Sequence, residues 1–292
     1  MSILLNRDTR VLVQGITGRA GRTQTRWMLE YGTKVVAGVT PGRGGEAVEG
    51  IPVYNTVAEA VGEQRAEASV FFVPPPAVRD AAYETMDAGI KLIVVVTEHV
   101  PVHDVMEIRS YARDRGVRLL GPTSPGIITP GEAKVGIMPG NMFRPGRIGI
   151  ISRSGTLSYE VSVDLLAAGL GQSTVVGIGA DPVVFTGMTE LLELFENDPA
   201  TDQVVIIGEV GGTQEEKAAE FIARRMTKPV VAYVAGRQAP EGKRMGHAGA
   251  IIQGGLGTPQ SKVNALRQAE VPVADYPLEV VELVQKRRQR IG

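Results

Sequence analysis

One histidine in this chain stands in a setting that suits attack by its ring. It lies in Gly242-Lys243-Arg244-Met245-Gly246-His247-Ala248-Gly249-Ala250, with glycine on either side and two cations just before it. Glycine neighbours favour an exposed, approachable imidazole. A neutral imidazole attacks a phosphoryl group through one ring nitrogen when the other is held by an acceptor. Glu209, just past the apolar run 204–207, is the candidate acceptor. General base catalysis is the competing role for the same ring.

Two turns supply anion-binding chemistry, and a third lies where a ligand crossing the strands would meet it. Ser152-Arg153-Ser154-Gly155-Thr156 joins a predicted strand to a predicted helix. Its start offers unpaired N–H groups to a phosphate. A side-chain cap by Ser154 or Thr156 is the alternative, and both can hold. Gly15-Ile16-Thr17-Gly18-Arg19-Ala20-Gly21 has the same placement. Its spacing is G-x-x-G-x-x-G, not the dinucleotide G-x-G-x-x-G, and no acid follows about 20 residues on. Arg43 stands there instead, in a glycine-rich loop, which suits a ribose carrying a phosphate: coenzyme A, or less well NADP. Val96-Thr97-Glu98-His99 ends another strand at the same sheet edge. Glu98 also suits the positive end of the helix that follows. His99 and His103 have no third metal ligand with them, so a zinc site is rejected.

These turns need a scaffold. Strands are predicted at 11–13, 34–39, 68–73, 92–96 and 117–120, with helices at 21–31, 77–88 and 102–115. Apolar strands alternating with helices predict a parallel sheet covered on both faces, with ligands at the carboxyl ends of the strands. Residues 121–146 break the rhythm with five prolines and six glycines, and read as an irregular connection that packs and contributes to function. The pattern then restarts. Strands are predicted at 148–151, 174–178, 204–207, 230–234 and 271–273, and helices at 156–168, 188–196, 214–226, 259–269 and 277–290. A glycine-rich loop spans 236–257. The cluster Lys286-Arg287-Arg288 complements the negative end of the last helix. The expected organisation is 1–122, a connecting segment 123–146, and 147–292. A length of 292 residues agrees with two domains.

Composition removes other chemistries. There is no cysteine, which excludes disulfides, cysteine metal sites and thiol catalysis. Lys plus Arg is 31 and Asp plus Glu is 32, so bulk charge gives no reason to bind nucleic acid or an acidic membrane. No apolar run reaches the ~18 residues of a transmembrane helix. The first residues do not form a signal peptide. The expected location is the cytoplasm.

Taken together, these segments resemble the α subunit of succinyl-CoA synthetase (succinate–CoA ligase). The resemblance covers essentially the whole chain. It rests on Gly15-Ile16-Thr17-Gly18, the stretch from Gly38 to Gly45, Ser152-Arg153-Ser154-Gly155-Thr156-Leu157-Ser158-Tyr159-Glu160, and the segment from Gly242 to Ile252. It implies an α/β fold: an N-terminal Rossmann-like CoA-binding domain, then a flavodoxin-like ligase domain, both with mainly parallel sheets. It implies a partner β subunit with an ATP-grasp fold, binding magnesium with ATP or GTP, in an αβ or α2β2 assembly. It implies an acyl phosphate formed from succinyl-CoA and phosphate, and a phosphohistidine that charges ADP or GDP.

Carried onto this chain, His247 is the phosphorylated residue and Glu209 the carboxylate that orients it. Ser154, Gly155 and Thr156 are the phosphate site. Thr17, Gly18, Arg19, Ala20, Arg43, Val96, Thr97 and Glu98 match the CoA-contacting stretches, and Tyr159 a position that helps bind the carboxylate substrate. The resemblance implies no metal ligand in this chain. The chain departs from the family at Arg43, where Lys is usual, and at His99, where Gly is common. It departs again at Asp181-Pro182-Val183-Val184-Phe185, and at Thr123-Ser124, where Asn-Cys is usual. The last turn is expected near the reacting thioester. A ligase for another acid such as malate, a non-catalytic CoA-binding module and an NADP oxidoreductase are the competing readings.

Overall fold

The computed structural model of the chain describes residues 2–255 and 257–288. The first half runs β1 (Val11–Gln14), α1 (Arg19–Tyr31), β2 (Val35–Val39), β3 (Ala47–Val48), β4 (Ile51–Tyr54), α2 (Val57–Gln64), β5 (Ala68–Phe71), α3 (Val78–Asp87), β6 (Leu92–Val95), α4 (Val102–Arg115) and β7 (Arg118–Leu120). The strands are ordered β3-β4-β2-β1-β5-β6-β7. The pairings are parallel apart from the antiparallel β3–β4 edge. Without β3 this is the Rossmann order 3-2-1-4-5-6. Alternation along each strand feeds two cores. Val11 and Val13 pack with Met28 of α1, whereas Leu12, Phe71 and Ile93 pack with Val78 of α3 and Ile108 of α4. Apolar residues are needed on both faces, which is why these strands lack polar alternation.

Residues 47–64 hold three elements that the apolar pattern does not announce. Gly50 and Pro52 interrupt the strands. The helix α2 is fixed by its cap, where Thr56 accepts the Glu59 N–H at 3.2 Å and Glu59 reaches back to the Thr56 N–H.

The second half runs β8 (Gly126–Thr129), β9 (Ala133–Gly136), β10 (Pro145–Ser152), α5 (Gly155–Ala167), β11 (Gln172–Gly177), α6 (Met188–Glu196), β12 (Gln203–Glu209), α7 (Gln214–Arg225), β13 (Val230–Ala235), α8 (Pro259–Gln268), β14 (Val273–Ala274) and α9 (Glu279–Arg288). Positions 289 and 290 of the predicted last helix lie outside the described residues. The order is β14-β13-β12-β10-β11-β8-β9. Its parallel part, β11-β10-β12-β13-β14, is the flavodoxin-like order 2-1-3-4-5.

The segment 121–146 is not an irregular connection. It donates the hairpin β8–β9, which pairs antiparallel with β11. Gly126 and Gly136 pair across the hairpin at φ 109° and 115°. A Cβ on Gly126 would lie 2.1 Å from the Val135 carbonyl oxygen. The glycines that read as breakers are what let these two strands approach.

The two halves share one apolar cluster, from Val11 and Val94 through Ile127 and Val135 to Ile151 and Val204. The loop after β11 also reaches the first half. The Phe185 N–H donates to the Gly121 carbonyl at 2.8 Å, and Thr186 Oγ1 donates to the Leu119 carbonyl at 2.6 Å. Among the described residues, no helix is long and apolar enough to cross a membrane.

Candidate functional site

The strand predicted over 204–207 extends to Glu209, so the sheet itself fixes that residue. Glu209 ends β12 and Ser152 ends β10, and these neighbours flank the point where the flavodoxin order reverses. Open α/β sheets bind ligands there. His247 Nδ1 lies 2.8 Å from Glu209 Oε2. The Glu209 side chain is 6% exposed and that of His247 41%. The hydrogen bond to Glu209 raises the His247 pKa above the usual histidine value, and burial works against it. The charges of Glu209 and Glu98 add to the rise, while Arg153 opposes it. Nδ1 is therefore committed to the carboxylate, which leaves Nε2 as the reactive nitrogen.

Ser154 caps α5, its hydroxyl accepting the Leu157 N–H at 3.3 Å. Ser152 Oγ in turn accepts the Ser154 N–H at 3.1 Å. Gly155 and Thr156 begin the helix, where backbone N–H groups have no intrahelical partner. The side-chain cap is therefore formed, and it does not use the Gly155 and Thr156 N–H groups. Tyr159, one turn on, is half-buried, and burial pushes its hydroxyl up to about 12. It meets Phe143 edge-on at 6.1 Å. It stays a neutral phenol, suited to hydrogen-bonding a carboxylate.

The first-half residues gather at the carboxyl ends of β1, β2 and β6, which the sheet order places on either side of β5. Gly15 takes φ 73°, and a Cβ on Gly21 would fall 2.2 Å from the Gly15 carbonyl oxygen. Only glycine lets α1 sit this close over the turn. Gly18 caps α1 without a side chain, and Gly18, Arg19 and Ala20 are exposed. Thr17 Oγ1 donates to Thr40 Oγ1 at 3.1 Å, tying the turns after β1 and β2. Arg43 is exposed and ion-paired with Glu46, its Nη2 donating at 3.0 Å. Val96 and Thr97 are half-buried, and Thr97 Oγ1 donates to the Val73 carbonyl at 2.8 Å. Glu98 is exposed, with His99 Nε2 4.0 Å from its carboxylate. His99 takes φ 61°, the region that favours glycine. Among the described residues, no three side chains gather as metal ligands.

The departing turn at 121–126 is also accounted for. Ser124 is buried, donating to the Gly177 carbonyl at 2.6 Å and accepting the Gly126 N–H at 2.9 Å. Thr123 Oγ1 donates to Asp181 Oδ2 at 2.9 Å. Burial raises the Asp181 pKa, while Thr123 and His247 favour its charged form. Thr123 and Asp181 therefore join the two halves, and the charges of Glu98 and His247 both act on that carboxyl.

Sequence reasoning missed the groups behind Glu209. Arg153 is 5% exposed and Glu215 and Lys262 are fully buried. Arg153 Nη1 donates to the carbonyls of Glu209 and Gly211 and to Glu215 Oε1, at 2.9, 2.8 and 3.1 Å. Lys262 Nζ pairs with Glu215 and with Glu216, the latter at 3.0 Å. Burial pushes the Glu215 carboxyl up, but Arg153 and Lys262 outweigh it and hold the pKa below its usual value. Arg153 was visible within Ser152-Arg153-Ser154. Glu215 and Lys262 fall within the helices predicted over 214–226 and 259–269, with no local motif that marks them.

Comparison with known proteins agrees with this layout. A family model for a CoA binding domain matches residues 6–99, and one for a CoA-ligase matches residues 151–272. The chain is 56% identical over 284 residues to "Succinate--CoA ligase [ADP-forming] subunit alpha 2" of Archaeoglobus fulgidus, covering 97% of this chain and 99% of that one. It is 55% identical over 288 residues to the corresponding alpha subunit of Aquifex aeolicus, covering 98% and 94%. The Staphylococcus aureus subunit is 50% identical over 280 residues, covering 96% and 93%. Among solved structures, ATP citrate lyase from Methanosaeta concilii in complex with (3S)-citryl-CoA superposes with a TM-score of 0.88 at 24% identity. It is matched over 97% of this chain and 51% of its own length. A dinucleotide-forming acetyl-coenzyme A synthetase from Ca. Korarchaeum cryptofilum superposes with a TM-score of 0.73 at 22% identity, over 92% and 58%. This chain thus spans about half the length of each of these two proteins, and the likeness shows the fold alone.

Proposed function

The chain belongs to the α subunits of ADP-forming succinate–CoA ligases, and we propose that it works as one, through a phosphohistidine at His247. The observation that carries this reading is the 2.8 Å contact between His247 Nδ1 and Glu209, which leaves Nε2 to react.

In the ATP-forming direction, phosphate attacks the thioester carbonyl of succinyl-CoA, and CoA leaves as the thiol. The succinyl phosphate then loses its phosphoryl group to His247 Nε2 as the P–O bond to succinate breaks. Glu209 accepts the Nδ1–H bond throughout and stabilises the cationic ring that forms during transfer. Ser154, Gly155 and Thr156 hold the phosphoryl oxygens at the head of α5. Tyr159 hydrogen-bonds the succinate carboxylate. Thr17, Gly18, Arg19, Ala20, Arg43, Val96, Thr97 and Glu98 line the CoA cradle, within a CoA-binding unit taken as 1–122. The ligase unit is taken as 147–292 together with the β8–β9 hairpin that completes its sheet.

The partner is a β subunit. In this reading its ATP-grasp fold carries the nucleotide and magnesium, and the enzyme works in the cytoplasm. Phosphorylated His247 then gives its group to ADP.

The test uses the chain purified with its β partner and phosphorylated by ATP and magnesium. Succinate with CoA is expected to discharge the label, releasing succinyl-CoA. Discharge by malate with CoA but not by succinate would overturn the substrate. Label that no acid discharges would overturn the ligase reading.

A further inference from the structure

The charges behind Glu209 form a continuous chain: Glu209, Arg153, Glu215, Lys262 and Glu216. Burying such a set costs desolvation, and apolar side chains of similar size are often at least as stabilising. Stability alone is therefore a poor reason for it. Its geometry suggests another. Arg153 grips residue 209 at both ends, Nη1 on its carbonyl at 2.9 Å and Nη2 facing its carboxylate Oε1 at 3.4 Å. Glu209 Oε1 accepts no hydrogen bond within the described structure, so this charge is what faces it. The strand fixes the Glu209 backbone but not the rotation of its side chain. Arg153 is itself braced by Glu215, whose backbone begins α7 and whose Oε1 also accepts the Glu209 N–H at 3.1 Å. Lys262 of α8 holds Glu215 from behind and donates to the Gly212 carbonyl at 2.9 Å.

From this geometry we infer that Arg153, braced by Glu215 and Lys262, is a positioning residue that fixes the Glu209 carboxylate against Nδ1 of His247 while its own charge offsets that carboxylate, so that Nε2 is left to react. The inference rests on the phosphohistidine reading. Its electrostatic side can be measured separately. The groups that face His247 are Glu209 from β12, Arg153 from the turn after β10, Glu98 from the loop after β6 and Asp181 from the loop after β11. On its own loop, Lys243 and Arg244 are exposed. Arg153 is the buried cation that offsets the carboxylates. Without it, the imidazole binds its second proton more tightly, and Nε2 is blocked over a wider range of pH.

The experiment is an NMR titration of the full chain labelled at histidine. The chain has three histidines, and His247→Asn identifies the relevant signal. In Arg153→Gln the His247 midpoint is expected to rise by about one pH unit. Arg153→Lys keeps a cation but loses the fork, and is expected to return at least half of that rise. Lys262→Met, which lets Arg153 turn towards Glu215, moves the midpoint the same way by less. In the assembled ligase, Arg153→Lys slows phosphorylation of His247 by about tenfold because the carboxylate is no longer held in place. A folded Arg153→Gln chain with the wild-type midpoint overturns the inference. So does failure of all three variants to fold, which would assign the charges to folding alone. The titration needs no nucleotide, partner or acyl group. Absence of phosphate on His247 would remove the phosphohistidine reading without touching the midpoint, and an unchanged midpoint would leave phosphorylation intact.

Discussion

The two strand-end sites of this molecule are built from different materials. The first-half cradle is made of exposed turns: Gly18, Arg19 and Ala20 at the head of α1, and an Arg43–Glu46 pair whose side chains are 51% and 38% exposed. The second-half site rests on charges withdrawn from water, with Arg153 and Glu209 at 4% and 6% and Glu215 and Lys262 at 0%. The contrast fits the work proposed for each. A large carrier molecule is captured by many modest contacts, each of which water can screen. A phosphoryl group moves only if the attacking nitrogen and the stabilising dipoles are already in place, and low dielectric strengthens them. The exposed site should therefore tolerate side-chain loss, and the buried one should not.

The sharpest way to break this comparison is at Glu209. Glu209→Gln keeps the shape and removes the charge, and phosphorylation of His247 is expected to fall by about 10²–10³-fold, measured by quenched-flow labelling. A fall no larger than that of a cradle mutant would erase the contrast. Stability carries a matching pH signature. His247 holds its proton more tightly folded than unfolded, so its stabilisation is present below the unfolded pKa and is lost as pH rises through the folded one. The gap in thermal midpoint between wild type and Glu209→Gln should accordingly shrink as pH rises from about 6 to about 9. A gap constant with pH would argue against the ion pair.

Next comes the one point where the exposed site is rigid. A Cβ at Gly21 would lie 2.2 Å from the Gly15 carbonyl oxygen. Gly21→Ala should destabilise the chain by about 2 kcal/mol or more and weaken CoA binding, read by denaturation and calorimetry. Wild-type CoA affinity in this variant would mean that the turn does not hold the carrier. A smaller effect is expected at Ser154→Ala, which removes the cap of α5 at a cost of about 1 kcal/mol and weakens phosphate binding. The smallest is Arg43→Ala. It breaks only an exposed pair, so the melting temperature should not move, while CoA affinity drops by about tenfold or less. A large loss of stability there would show that the cradle, too, depends on fixed charge.

Much of this arrangement was legible in the residues. Uninterrupted Val and Ile runs announced two parallel sheets, because both faces of such strands must be apolar. The turn motifs located the strand ends, and His247 with Glu209 could be paired from their neighbours. The hairpin at 126–136 was hidden because its pairing depends on Gly126 and Gly136, residues that locally read as chain breakers. The elements at 47–64 were hidden by a helix held more by its cap than by apolar periodicity. The brace behind Glu209 was hidden for a different reason. Glu215 and Lys262 are 47 residues apart and occupy ordinary helical positions, so only the packing of α7 against α8 turns them into buried partners.

The most direct test of the account is to locate the phosphate. The chain, assembled with its β partner and treated with ATP and magnesium, is expected to carry one acid-labile phosphoryl group on His247. Phosphorus NMR should place it on Nε2, and the His247→Asn chain should take up none. Label on another residue, label on Nδ1, or label retained in His247→Asn would contradict the assignment on which the mechanism stands.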